Sequence, residues 1–125
     1  MIDHHKLGRS SKKKGSRGEL EFAHLCQSHG YDVHRTAQFR GNTGCAGDCE
    51  GLEGIHIEVK RVEKLNLENA MNQSIHDAEA ENKGNFPIVA HRKNKGEWLI
   101  TMRAEDWFQL FGKAEQLRRE ENGKE

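Results

Sequence analysis

No stretch of this 125-residue sequence is apolar for anything near the roughly 20 residues a membrane span requires, so no membrane partner is expected. No apolar segment follows the early basic residues, so no signal peptide is expected either. Cysteine is scarce. Cys26, Cys45 and Cys49 are few and odd in number, unlike a secreted disulfide framework, and reduced thiols in a cytoplasmic protein are the expectation. Net charge is also lacking, with 20 basic residues against 20 acidic. Internal repeats are absent. Apolar residues make up only 34% of the chain and charged residues 32%, so the core must be economical. A chain of this length forms one domain and buries roughly two-thirds of its unfolded surface.

The balanced charge is unevenly spread. Residues 1–17 carry Lys6, Arg9, Lys12, Lys13, Lys14 and Arg17 against Asp3 alone. Glu63, Glu68, Asp77, Glu79 and Glu81 later stand against Lys64 alone. A basic arm on a neutral body suits the holding of phosphate backbones, although a solubilising tail has the same composition.

Polar and without apolar periodicity, residues 1–14 read as a disordered basic arm. A helix is expected from Ser16 as N-cap, with Glu19 three residues on and Gly30 as its stop. Phe22, Leu25, Cys26 and His29 share one face of it, with Glu19 on or beside that stripe. "YDVHRTAQF" reads as a strand, followed by the glycine-rich "RGNTGCAG". "DCEGLEGIHIEVKRV" reads as a hairpin. Setting Asp48 opposite Glu58 leaves Leu52, Glu53 and Gly54 as the turn, with Gly54 free to take positive φ. Period-2 geometry then puts Asp48, Glu58 and Lys60 on one face of the sheet. A second helix over 67–82 would bury Leu67, Met71, Ile75 and Ala78. "FPIVAHR" and "EWLITM" are two more strands, and a last helix from about Arg103 would bury Trp107, Phe108, Leu110, Phe111 and Ala114. The order α-β-β-β-α-β-β-α predicts an α/β fold with a mixed five-stranded sheet flanked by helices.

In this layout Glu19, Asp48, Glu58 and Lys60 converge. Each has a plainer reading alone: Glu19 closing a capping box with Ser16, Asp48 in a turn, Glu58 and Lys60 on a solvated strand face. Together they are harder to explain that way. Two carboxylates about 4 Å apart repel by roughly 4 kcal/mol at an effective dielectric near 20, so a sheet does not normally collect acids without a cation. Hard oxygen ligands in a partly open site suit Mg²⁺, with Mn²⁺ as a substitute. Cys45 and Cys49 with His34 or His56 invite a zinc reading, but the C-x3-C spacing lacks a second pair. Cys26 reads as a core thiol, and His56 as a spare polar strand residue that shares the Glu58 face.

Asp48 followed on the next strand by Glu58-Val59-Lys60 resembles the PD-(D/E)xK nuclease signature. "KKGSRGELEF" and "HGYDVHRTA" resemble the start of archaeal-type Holliday junction resolvases and their phage relatives. The resemblance implies a restriction-endonuclease-like core and Mg²⁺-dependent phosphodiester hydrolysis. Asp48, Glu58 and the Val59 carbonyl become metal ligands, Glu19 a helix-borne acid completing the site, and Lys60 the catalytic lysine. Arg35 and Thr36 match residues near the scissile phosphate, and Gln73 matches a glutamine of the following helix. The signature proline is Gly47 here, and the Asp48-to-Glu58 interval is ten residues, which makes the turn tight.

The expected protein is therefore an endodeoxyribonuclease making paired nicks in four-way DNA junctions. It would be a homodimer joined through the second helix or the final strand, with no small-molecule cofactor. Residues 1–14 form the arm, in which Lys12, Lys13 and Lys14, with Arg17 just beyond, would bind DNA. Residues 15–112 form the nuclease domain and 113–125 a charged tail. The alternatives are a same-fold nuclease for flaps, single strands or a specific sequence, and a catalytically silent DNA-binding protein.

Overall fold

The computed structural model describes residues 4–37 and 46–124, with side chains from Ser16 onward. The elements are α1 (His4–Ser28), β1 (His34–Arg35), β2 (Cys49–Glu50), β3 (Ile55–Arg61), α2 (Leu67–Glu81), β4 (Phe86–Arg92), β5 (Leu99–Met102) and α3 (Ala104–Asn122). They form one five-stranded mixed sheet in the order β1-β2-β3-β4-β5. Only β3 and β4 are parallel, joined through α2, and their register sets Glu58 beside Val89 and Lys60 beside His91. The predicted α/β architecture and element order are those observed.

The hairpin register is also as predicted. Cys49 pairs with Ile57, which sets Asp48 against Glu58, and Gly54 turns the chain with φ of 84°. Alternation along β3 then divides the molecule into layers. Ile57 and Val59 join Phe22, Ala23 and Cys26 of α1 and Ile88 and Ala90 of β4 in the apolar core. Glu21 ties α1 to the same side of the sheet through Arg61 and Arg92, at 3.0 and 3.2 Å. His56 and Glu58 point the other way, beneath α2.

That second layer corrects the helix predictions. The residues α2 buries are Ala70, Ser74, Asp77 and Ala78, whereas Leu67, Met71 and Ile75 are only half-buried. The sheet face below carries the buried His56 and Glu58 beside Pro87 and Val89, so small and polar residues fit over it and the bulky ones are turned aside. Ser74 seals the contact by donating to the Ile88 carbonyl at 2.9 Å.

α1 begins at His4, so Ser16 lies inside the helix rather than capping it, and most of the segment expected to be disordered has helical backbone. The side chains of Lys12, Lys13 and Lys14 lie outside the described residues. At the other end, α3 continues through the expected tail to Asn122. Its aromatic residues are not core: Trp107, Phe108 and Phe111 are 47%, 61% and 42% exposed, and only Asp106 of the helix is buried. The two sheet faces are already covered by α1 and α2, and the rings meet one another and, over Phe111, the Arg118 guanidinium of the same helix. Among the described residues no helix is long and apolar enough to cross a membrane.

Candidate active site

The site is built where β2 and β3 part. The β2 ladder ends at Cys49, and Asp48 continues it with other groups: its backbone N–H donates to the Ile57 carbonyl at 2.8 Å. Its carboxylate Oδ2 accepts from the Val59 N–H, also at 2.8 Å. The acid is thus pinned to the strand that carries Glu58 and Lys60. Gly47 makes the approach possible, since a Cβ there would lie 2.7 Å from the Ile57 carbonyl oxygen. Neither proline nor alanine fits at that position without moving the hairpin.

Asp48 and Glu58 stand opposite each other in the hairpin register, and their charges act on one another. Burial, then the Glu58 charge, push the Asp48 carboxyl up from 3.8 to about 6, against the lowering effect of the Val59 N–H. Glu58 itself is only 5% exposed. A half-buried acid and a buried one so close carry a repulsion that a cation would relieve, and their hard oxygen donors fit Mg²⁺ or Mn²⁺.

Glu19 acts on Asp48 from α1. Its carboxyl is raised by burial, lowered by its bond to Arg35, and further raised by the Asp48 charge. The Arg35 Nε donates to Glu19 Oε2 at 2.7 Å, and the same guanidinium reaches the Ser16 hydroxyl at 3.2 Å. Glu19 therefore answers to Arg35 directly and to Asp48 and Lys60 through their fields. Ser16 supports the arginine instead of capping the helix.

Lys60 is half-buried on the Glu58 face and has no hydrogen bond or ion pair within the described residues. It borders an open cavity of about 280 Å³ together with Asn66, Asn69 and Gln73. Gln73 is thereby brought to the same opening as the lysine. Thr36, expected near the scissile phosphate, also has a structural task. Its hydroxyl donates to the Gly47 carbonyl and its N–H to the Asp48 carbonyl, so it fastens the segment that presents Asp48. Arg17 is exposed on α1.

The residue that sequence reasoning passed over is His56. It is 2% exposed and its ring bridges two acids, with Nε2 3.0 Å from Glu58 Oε1 and Nδ1 2.8 Å from Glu81 Oε1. Burial lowers its pKa, but the bonds to Glu58 and then Glu81 outweigh that, and the net direction is upward from 6.5. Asp77 of α2 approaches as well: His56, Glu58 and Asp77 offer ligand atoms within 4.8 Å of one another. Alternation alone places His56 on the Glu58 face; its meeting with Asp77 and Glu81 depends on how α2 docks.

Cys49 belongs to the scaffold. Its thiol is buried against the Glu19 carbonyl at 3.6 Å, and burial, followed by the nearby acids, pushes it up to about 12. That is the reverse of what a zinc thiolate needs. His34 pairs with Glu50, and Cys45 lies outside the described residues.

A fold comparison finds the Holliday junction resolvase Hjc of the archaeal hyperthermophile Archaeoglobus fulgidus, with a TM-score of 0.52 at 22% identity, covering 71% of this chain and 72% of that one. This places the sheet and its helices in the restriction-endonuclease-like fold. No curated protein sequence matches the chain. A family model described as "Phage putative PDDEXK endonuclease" matches residues 10–123. With nearly the whole sequence inside that match, the chain belongs to the phage PDDEXK endonucleases, a branch of the PD-(D/E)xK nucleases.

Proposed function

We propose that this nuclease is a Mg²⁺-dependent endonuclease acting on four-way DNA junctions, and that it works as a homodimer. The observation that carries the metal-dependent part is the half-buried Asp48 set against the buried Glu58 across the hairpin, with the Lys60 ammonium on the same face and free of ion pairs among the described residues. Asp48, Glu58 and the Val59 carbonyl would hold the cation, with Glu19 completing the acidic shell. When bound, such a cation activates water at neutral pH and offsets phosphate charge.

The chain's own residues do the rest. Lys60 is available to orient the attacking water and to donate to a non-bridging phosphate oxygen as charge builds in the transition state. Arg35 is held beside Glu19 with guanidinium N–H groups that suit a phosphate. In-line attack forms the new phosphorus–oxygen bond, breaks the bond to the 3′ oxygen and leaves a 5′-phosphate end. Gln73 and the basic residues Lys12, Lys13, Lys14 and Arg17 would steady the DNA backbone.

Two paired nicks require two sites, hence two copies. The exposed Trp107, Phe108 and Phe111 of α3 are the surface we assign to that contact. The edge strand β5, with Leu99 and Ile100 exposed, extends the apolar area available. The deciding experiment compares cleavage of a synthetic four-way junction with linear duplex of the same sequence in Mg²⁺. Symmetric paired nicks confined to the junction are expected. Equal cutting of the duplex would sink the junction assignment, and an inert wild type that still binds junctions would sink the enzymatic one.

A further inference from the structure

We propose that His56 is a positioning residue of the nuclease site: its ring, clamped between Glu58 and Glu81, fixes the Glu58 carboxylate in the orientation that receives the divalent cation. The inference rests on the metal-dependent reading above and adds a residue that lies outside the signature.

The ring has carboxylate oxygens at both nitrogens, 3.0 Å away at Glu58 and 2.8 Å at Glu81. Both ring nitrogens are thereby engaged, which fixes the ring between the two acids and leaves it no freedom to turn. The contact to Glu58 is wholly buried, and that to Glu81 is partly so. Engaging Oε1 of Glu58 leaves the other oxygen as the one free to meet a cation, and it stops the carboxyl from rotating. Metal-bound carboxylates are commonly held in this way by a hydrogen-bond donor behind them.

The clamp is itself anchored. Glu81 is the last residue of α2, and the helix end is closed by Asn82 in the left-handed conformation, its N–H on the Ala78 and Glu79 carbonyls. Lys83 holds the second Glu81 oxygen at 3.5 Å. The ring also stands between Glu58 and Glu81 and close to Asp77, separating acids that would otherwise face one another. The docking of α2 and the orientation of the Glu58 carboxylate are thereby linked.

The test measures Mn²⁺ affinity of the DNA-free protein by isothermal titration calorimetry, alongside kcat and KM on a four-way junction. His56→Ala should weaken Mn²⁺ binding about 10- to 100-fold and lower kcat, with KM and junction binding in Ca²⁺ unchanged. His56→Gln, which keeps one donor toward Glu58, should recover part of both losses. Glu81→Gln, at the edge of the network, should weaken Mn²⁺ binding in the same direction and covers the case in which His56→Ala does not fold. Wild-type Mn²⁺ affinity in a folded His56→Ala, or in Glu81→Gln where His56→Ala does not fold, would overturn the proposal. Asp48→Asn separates the two levels. If it abolishes Mn²⁺ binding while the His56 and Glu81 variants bind normally, only the clamp fails. If it also binds normally, the metal-dependent reading fails with it.

Discussion

The Val59 N–H donates to Asp48 Oδ2 at 2.8 Å, so an acid on one arm of the hairpin is fastened to the arm that carries Glu58 and Lys60. The bond does two jobs. It stands in for the ladder pairing that ends where β2 stops, and it holds two like charges together against their repulsion. Both depend on the closeness of the two arms, and that closeness depends on Gly47.

Gly47→Ala is accordingly expected to damage the site without touching any charged group. The added Cβ would sit 2.7 Å from the Ile57 carbonyl oxygen, a backbone atom that cannot swing away. Relief requires β2 to move off β3, at a cost of about 1–3 kcal/mol, as for other overpacked positions. Urea unfolding should show that loss. Mn²⁺ titration should show weaker binding, because the Asp48 to Val59 bond lengthens with the shift.

Asp48 makes metal-free stability depend on pH with an unusual sign for a carboxylate. Its pKa lies above the ordinary 3.8, at about 6 in the fold, so the folded state holds the proton more tightly than the unfolded chain. The stabilisation from that proton is fully present below about pH 4 and is lost as pH rises through about 6. A rise of that size corresponds to about 3 kcal/mol as an upper figure. Denaturant melts in chelator between about pH 4 and 7 should therefore show a falling contribution that Asp48→Asn removes. If the variant and the wild type keep the same slope, the Asp48–Glu58 pair is not the source. Added Mg²⁺ should restore wild-type stability at neutral pH and leave Asp48→Asn unmoved.

The hairpin was legible because its signals are local. Alternation in Ile55–Arg61 and a glycine at the turn fix the register, and the register alone puts Asp48 against Glu58. The element order was legible for the same reason. The helices were read less well, since which face a helix buries depends on what lies under it. Met71 and Ile75 look like a core stripe until the sheet face beneath α2 proves to carry His56 and Glu58. Trp107 and Phe111 stand at core spacing, but both faces of the sheet are already taken. His56 reads as a spare strand residue because its partners, Glu58 and Glu81, are 2 and 25 residues away and only the packed fold brings all three together.

Cleavage and binding should separate at Lys60 and Glu58. Lys60 has no hydrogen-bonded or ion-pair partner within the described residues, so Lys60→Ala breaks no such bond there and should leave thermal stability within about 0.5 kcal/mol of wild type. Cutting of a junction should fall at least about 100-fold, the usual effect of losing one transition-state donor. Glu58→Gln should lose cutting as well, with Mn²⁺ binding lost in addition. Both variants should bind a junction in Ca²⁺ as the wild type does. A Lys60→Ala enzyme with near-normal kcat would remove the lysine from the mechanism.

The basic stretch ahead of the site should be read through salt. Replacing Lys12, Lys13 and Lys14 by alanine removes three charges from the N-terminal half of α1. If each meets a phosphate, the slope of log affinity against log salt should flatten by about 0.9 for every phosphate on the duplex arms that is no longer neutralised. Sequence preference and kcat at saturation should not change. An unchanged slope would make the segment a solubilising one.

The aromatic face of α3 should decide the oligomeric state. Trp107 stacks on Phe111 with ring centroids 5.2 Å apart and meets Phe108 edge-on at 5.0 Å, so the three rings form one exposed apolar cluster. A second copy laid on this face by a two-fold axis would bury the cluster of each partner and set two sites on one junction. Phe111→Glu places a charge in the middle of that contact while removing little from the fold of the monomer, where the residue is 42% exposed. Sedimentation velocity should show a dimer for the wild type and a monomer for Phe111→Glu, with urea midpoints compared at low concentration to exclude unfolding. Junction products should change in step, from paired nicks that give linear duplexes to single nicks that leave the four strands joined. A variant that remains dimeric would move the contact to another surface, with the exposed Leu99 and Ile100 of β5 the next to be substituted.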